Sequence, residues 1–208
     1  PENIRLPSNS DAAFFYDLFT PRQLAGLAVI KHTIDTHTDG IAGDLLRLAW
    51  SASVAKLNRT FLSAKGRAPS RGGSSIFSIY RYKVATECVE LPIWATFSAR
   101  VRNVVAAKEE IIKHLQLMTL ARMKCGLPDS RRDLAIMALD AAVLPTVLKE
   151  ESIDYIFTDP PYGAFISYLD LSILWNHWFG FDVSAEARLS ETIVGGSAAL
   201  SEDHYKAS

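Results

Sequence analysis

Cysteine is scarce in this 208-residue chain: only Cys88 and Cys125 are present. Neither has a second cysteine nearby to make a metal knuckle, and two cysteines do not make a disulfide scaffold, so a reducing compartment fits. Long apolar runs are missing too. The longest, Leu24–Ile30, is far too short to cross a bilayer, and no charged-then-apolar leader opens the chain, so a cytoplasmic protein without a membrane partner is expected. Acid is absent locally. The net charge is −1, yet no Asp or Glu occurs from Leu45 through Thr86, a block that holds Arg47, Lys56, Arg59, Lys65, Arg67, Arg71, Arg81 and Lys83. Its middle, SAKGRAPSRGGSS (Ser63–Ser75), is the Gly/Ser/Arg composition of a loop between ordered elements. One account of this block is a solvated loop kept soluble by its charges. The other is a phosphate-contacting segment in which Lys65, Arg67, Arg71 and Arg81 follow a nucleic-acid backbone, with Tyr80 and Tyr82 either stacking on bases or simply packing.

The first half reads as helical. Thr20, Pro21 and Gln23 form a capping-box start, and Leu24, Leu27, Ala28 and Ile34 recur at helical spacing. A second helix is expected from about Ile41 to Leu62, with Leu45, Leu48, Ala49, Ala52 and Leu57 toward the core, and a third over roughly Ser98–Met123. After Asp133 the texture changes. LAIMAL reads as an apolar strand ending in Asp140, LPTVL as a connection, SIDYIFT as a second buried strand over Ile153–Thr158, and Tyr168–Phe179 as a helix. Strand, short crossover, strand, helix is α/β grammar, although the Asp140-to-Ile153 crossover is short for a full βαβ unit.

The second strand runs into TDPPYG. Each proline fixes φ and lacks an N–H, so Asp159–Tyr162 is a stiff turn that holds its side chains still. In an open α/β sheet the ligand lies beyond the carboxyl ends of the strands, where Asp140 and Asp159 both fall. Alone, Asp140 reads as a cap for the next turn and Asp159 as a turn residue before proline. Together, with Pro160-Pro161-Tyr162 adding rigid backbone, an exposed carbonyl and an aromatic face, they read as a site.

These residues resemble the catalytic motif of the S-adenosylmethionine-dependent amino-methyltransferases that modify the exocyclic nitrogen of adenine or cytosine in DNA. The match covers LDAAVLPTVLKEESIDYIFTDPPYG, Leu139–Gly163: acidic residue after a strand, Leu-Pro, then Ser-Ile-Asp leading to Asp-Pro-Pro-Tyr. The continuation FISYLDLSILWNHWF, with LFTPRQL and LPIW upstream, resembles a branch of adenine-specific DNA methylases that often carry a zinc-ribbon insertion. The resemblance implies a partial Rossmann-like methyltransferase sheet over residues 125–208, preceded by a mainly helical segment over 1–124. It also implies roles. Asp159 and the Pro160 carbonyl accept hydrogen bonds from the base NH2, so that electron density concentrates on a nitrogen whose lone pair is otherwise delocalised. Pro160 and Pro161 keep the acceptors placed, and Tyr162 stacks on a base flipped out of the duplex. Asp140 accepts from the adenine of the methyl donor, and Phe157 and Thr158 line the same cleft.

The chain departs from the family in lacking the Asp/Asn-Pro-Phe-x-Gly-x-Gly donor loop and the second-strand acid for the ribose. IVGGSAAL (Ile193–Leu200) has no preceding Pro-Phe and follows no clear strand, so it reads as a surface turn rather than a permuted donor loop. With a start at Pro1, the expectation is a piece of a longer methylase that binds S-adenosylmethionine weakly or not at all by itself. A half-built sheet has an open edge, so a homodimer through that edge is expected. Two other readings stay open: a methyltransferase of ribosomal RNA bases, and a non-catalytic nucleic-acid-binding module that has lost its donor site. His32 and His37, five residues apart, do not share a helix face as metal ligands would, and no metal is expected on them. Trp175, His177 and Trp178 read as packing the post-motif helix against the sheet, and Met118 and Met123 as core filler.

Overall fold

The computed structural model describes residues 3–62, 73–86, 89–115, 120–122, 134–136, 139–160, 163 and 166–207. In chain order the elements are α1 (Pro21–His37), α2 (Gly40–Val54), β1 (Phe61–Leu62), β2 (Gly73–Ser74), α3 (Ser75–Ser78), α4 (Ile93–Leu115), β3 (Leu120–Arg122), β4 (Leu134–Ile136), α5 (Leu144–Val147), α6 (Tyr168–Phe179), α7 (Ala185–Leu189) and α8 (Glu202–Ala207). The chain divides into two compact units, residues 1–104 with 161–208, and residues 105–160.

The larger unit is helical, and its sequence signals act as local chemistry requires. Thr20 accepts from the Gln23 amide while the Gln23 side chain accepts from the Thr20 amide, so two otherwise orphaned N–H groups at the start of α1 are satisfied. Leu27 and Ile34 of α1 are buried, and Ala28 faces solvent. Helix α2 ends at Val54, earlier than its apolar pattern suggests, because Asn58 turns the chain. Its amide donates to the Val54 carbonyl at 2.5 Å and its Oδ1 accepts from the Thr60 N–H at 2.8 Å, an arrangement that competes with further helix. Ala49, Trp50 and Val54 of α2 are buried, whereas Leu48 and Ala52 are exposed.

The core is aromatic. Trp178 of α6 meets Trp50 of α2 edge-on at 5.3 Å between ring centres and Phe19 at 5.9 Å; Phe15, in a short 3-10 helix over Phe15–Leu18, packs 4.5 Å from the His177 ring and 5.3 Å from Phe19. Edge-to-face pairs of this kind add to the gain from burial. The Trp50 indole N–H donates to the Leu27 carbonyl at 3.0 Å, so α2 is pinned to α1 by a buried hydrogen bond as well as by packing. Tyr82 is also buried. Its hydroxyl donates into the Asp170 and Leu171 carbonyls of α6 at 3.0 and 2.7 Å and accepts from the Leu174 N–H at 3.1 Å. Burial pushes its pKa up, so the phenol stays a neutral donor.

The expected α/β class is corrected by this architecture. The described residues are mainly helical and contain no Rossmann-like sheet: the strands are a two-residue antiparallel pair, β1–β2, and a three-residue parallel pair, β3–β4, in which Leu120, Ala121 and Arg122 sit opposite Leu134, Ala135 and Ile136. The LAIMAL strand is present from Leu134 to Ile136. Ile153–Thr158 forms neither strand nor helix, and its side chains face solvent, with Tyr155 80% and Phe157 83% exposed. The physical reason is pairing. A buried parallel strand exists only with neighbours on its edges and layers on its faces, and no described strand supplies an edge to 153–158. Trp175, His177 and Trp178 do pack α6, as expected, but against helices and the 3-10 turn rather than against a sheet.

Candidate functional site

Asp140, Phe157, Thr158, Asp159 and Pro160 belong to the 105–160 unit. Asp140 caps a 3-10 turn over Ala141–Val143, its Oδ1 accepting from the Ala142 N–H at 2.9 Å. That is the capping role the residue shows when read singly. Pro145 follows at the first turn of α5, where its missing N–H costs nothing. Phe157, Thr158, Asp159 and Pro160 are all exposed. Among the described residues, neither these four nor Asp140 lines the pocket beside α2, the one between Ile4–Ser8 and α6, or the one beside Glu90–Ile93. S-adenosylmethionine needs a cleft for its adenosine and a backbone approach for its methionine part, and among the described residues Asp140 and Phe157–Pro160, all facing outward, do not make one. Pro161 and Tyr162 lie outside the described residues, as do Lys65, Arg67, Arg71, Cys88, Cys125, Met118 and Met123.

Arg81 belongs to the 1–104/161–208 unit. Its Nη2 stands 2.6 Å from Asp11 Oδ1, while Asp11 Oδ2 accepts from the Val84 N–H at 3.2 Å and the Asp11 N–H donates to the Tyr82 carbonyl. One carboxylate thus holds the Arg81–Val84 segment, and with it the buried Tyr82. Of the two tyrosines proposed to stack or pack, Tyr82 packs and Tyr80 is exposed. His32 and His37 both point to solvent on α1, and among the described residues no three His, Cys, Asp or Glu gather as a metal site would require.

The glycine that ends the motif has a defined place. Gly163 has φ +59°, a conformation that side chains resist, and its carbonyl accepts from the Val194 N–H at 3.3 Å. Val194 is the second residue of the IVGGSAAL turn, which is closed by reciprocal Gly195–Leu200 backbone hydrogen bonds of 2.7 and 2.9 Å. This is the surface turn expected of it. The turn is anchored on α6, because the nearly buried Asp170 accepts from the Ser197 N–H at 2.9 Å and has Arg188 at 3.9 Å. Glu191 accepts from the Leu169 N–H at 2.9 Å in the first turn of α6; burial raises its pKa above the usual 4.5, partly offset by that N–H, with the Asp170 charge raising it further.

Asp170 and Glu191 were not singled out from sequence. A lone acid in the first turn of an otherwise apolar helix, YLDLSILW, was the available signal for Asp170, since a carboxylate on a buried face needs N–H partners. Glu191 carried none, because its partner lies 22 residues away. No protein-family profile, curated protein or solved structure matches this chain. Among the described residues no helix is long and apolar enough to cross a membrane.

Proposed function

We propose that this chain carries the base-acceptor motif of a DNA methyltransferase that methylates an exocyclic amine, most simply adenine N6. The observation behind the reading is the run Leu139–Gly163, in which an acid, Leu-Pro, Ser-Ile-Asp and Asp-Pro-Pro-Tyr-Gly follow in the order of the amino-methyltransferases. Asp159 and Pro160 are exposed, so an extruded base can reach them. The Asp159 carboxylate and the Pro160 carbonyl accept from the base NH2, which localises the nitrogen lone pair for attack, and the prolines spare the acceptors any reorganisation. The methyl donor, when bound, supplies the electrophilic methyl group. This chain alone is expected to bind that donor weakly or not at all.

A second reading, a non-catalytic nucleic-acid-binding module, is favoured by one observation: among the described residues, Asp140, Phe157 and Thr158 line none of the three cavities beside α2, beside Ile4–Ser8 and beside Glu90–Ile93. Transfer of labelled methyl from S-adenosylmethionine to DNA and to RNA separates the readings, measured for the chain and for the complete product of its gene, each also as Asp159→Ala. Labelling of DNA by the complete product that Asp159→Ala abolishes supports the DNA methylase. Labelling of RNA alone moves the substrate to ribosomal bases, and salt-sensitive DNA binding without any labelling supports the module.

A further inference from the structure

We propose that an aromatic-walled pocket on α2 is a nucleotide-binding site, taking a base against its rings and a phosphate on Lys56 and Arg100. The pocket, about 480 Å³, lies wholly inside the 1–104/161–208 unit. Its volume falls in the range of small-molecule sites. The floor is apolar, formed by small side chains of α2 together with Phe61, Phe77 and Trp175. Two features of the walls are set by tertiary contacts. The Trp175 indole N–H donates to the Ser51 carbonyl at 3.0 Å, which fixes the plane of its ring, and Phe77 stands 5.9 Å away at 45°. Phe77 is 61% exposed, an unusual placement for a large aromatic ring beside a cavity and one that leaves a ring face free for stacking.

The charge is one-signed. Lys56 and Arg100 line the pocket, and among the described residues no Asp or Glu does. Among the described residues neither cation has a carboxylate at ion-pair distance; Lys56 instead sits 5.9 Å from the Phe61 ring centre. The sequence explains this shortage, since Lys56 falls in the Leu45–Thr86 block that contains no acid. Burial, and then the nearby Arg100 charge, hold the Lys56 ammonium below its usual pKa. An anion placed between the two cations would relieve that repulsion. Flat apolar walls for a π-system, with two uncompensated cations at the same opening, are the chemistry that recognises a base joined to its phosphate. A purely apolar ligand would leave both cations unanswered. The site stands on other residues than Asp159, and neither proposal requires the other.

The test is titration of the chain with dAMP, deoxyadenosine, a short single-stranded oligonucleotide and laurate, followed by calorimetry and by quenching of tryptophan emission. Saturable binding of dAMP is expected, with deoxyadenosine weaker by about tenfold because it lacks the phosphate, and a marked loss of dAMP affinity with salt. Lys56→Met and Arg100→Met are each expected to weaken dAMP by about tenfold, and Phe77→Ala by a similar factor. Phe77 is exposed, so its variant keeps the fold; unchanged circular dichroism and melting confirm that for all three. Trp175→Phe, which loses the indole N–H that fixes the ring plane, should weaken dAMP in calorimetry and remove most of the quenching. A strand that binds more tightly than dAMP, with the same variant sensitivity, identifies the source as a nucleotide within a nucleic acid; equal or weaker binding identifies a free nucleotide. The proposal is overturned if dAMP does not bind, if deoxyadenosine or laurate binds as well as dAMP, or if a folded Lys56→Met/Arg100→Met double variant binds it unchanged.

Discussion

Two stretches of this chain are both apolar and aromatic and meet opposite fates. LSILWNHWF in α6 and IDYIFT before the motif are both rich in aromatic and branched apolar residues. The first buries Ile173, Leu174 and Trp178 among Phe15, Phe19 and Trp50; the second leaves Tyr155, Ile156 and Phe157 in solvent. The difference is where the partners come from. A helix satisfies its own backbone and needs only an apolar stripe on its neighbours, which α1, α2 and the 3-10 turn supply. A strand needs hydrogen-bonding neighbours before its side chains can be buried at all. Apolar composition therefore marks a segment as able to be buried, and the presence of a matching edge decides whether it is.

The sharpest way to break the comparison is to truncate one aromatic from each stretch. Trp178→Ala should cost about 3–5 kcal/mol, since it empties the centre of an aromatic cluster. Phe157→Ala should change stability by no more than about 0.5 kcal/mol. Urea unfolding of both decides. A Phe157→Ala loss of several kcal/mol would show that 153–158 is buried in solution, and the contrast would fall.

Tyr82→Phe sharpens the same contrast at the level of one oxygen. It keeps the ring in the core and removes the hydroxyl that joins the Arg81–Val84 segment to the Asp170, Leu171 and Leu174 backbone of α6. The expected cost is about 1–3 kcal/mol, because buried polar groups lose their partner. A neutral result in the same unfolding experiment would show that packing alone seats this segment.

The smallest effect is a pH dependence on the motif side of α6. Burial raises the Glu191 pKa, so the folded protein holds this proton to higher pH than the unfolded chain does. Its contribution to stability is therefore complete below the unfolded value and is lost as pH rises through the folded one. Glu191→Gln, whose amide oxygen can still accept from Leu169, should flatten that fall when urea midpoints are compared across the window above pH 4.5. Parallel pH profiles for the two proteins would remove Glu191 as the source.

Local chemistry was readable and long-range geometry was not. The Thr20–Gln23 box and the Tyr168–Phe179 helix each depend on residues within a few positions of one another, and each is where its sequence indicates. The end of α2 was missed because a single Asn58 side chain outweighs the apolar spacing that runs on past it. At the candidate site, the capping role of Asp140 could be read directly, since its partner is two residues away. The anchoring of Gly163 by Val194, of Ser197 by Asp170 and of Leu169 by Glu191 could not, because those partners are 22 to 31 positions distant.

Sequence alone was enough to set the Thr20–Gln23 start of α1, the acid-free basic block and the capping role of Asp140, because these are steric and electrostatic properties of neighbouring residues; the start of α4 at Ile93, five residues before the expected Ser98, was not set in this way. Tertiary structure decided which apolar faces are buried, that Tyr82 is a core residue rather than a stacking platform, and that Lys56, Arg100, Phe77 and Trp175 share one pocket. Those outcomes depend on which distant surfaces meet. Burial and hydrogen bonding belong to pairs of segments, and no property of either segment by itself specifies the other.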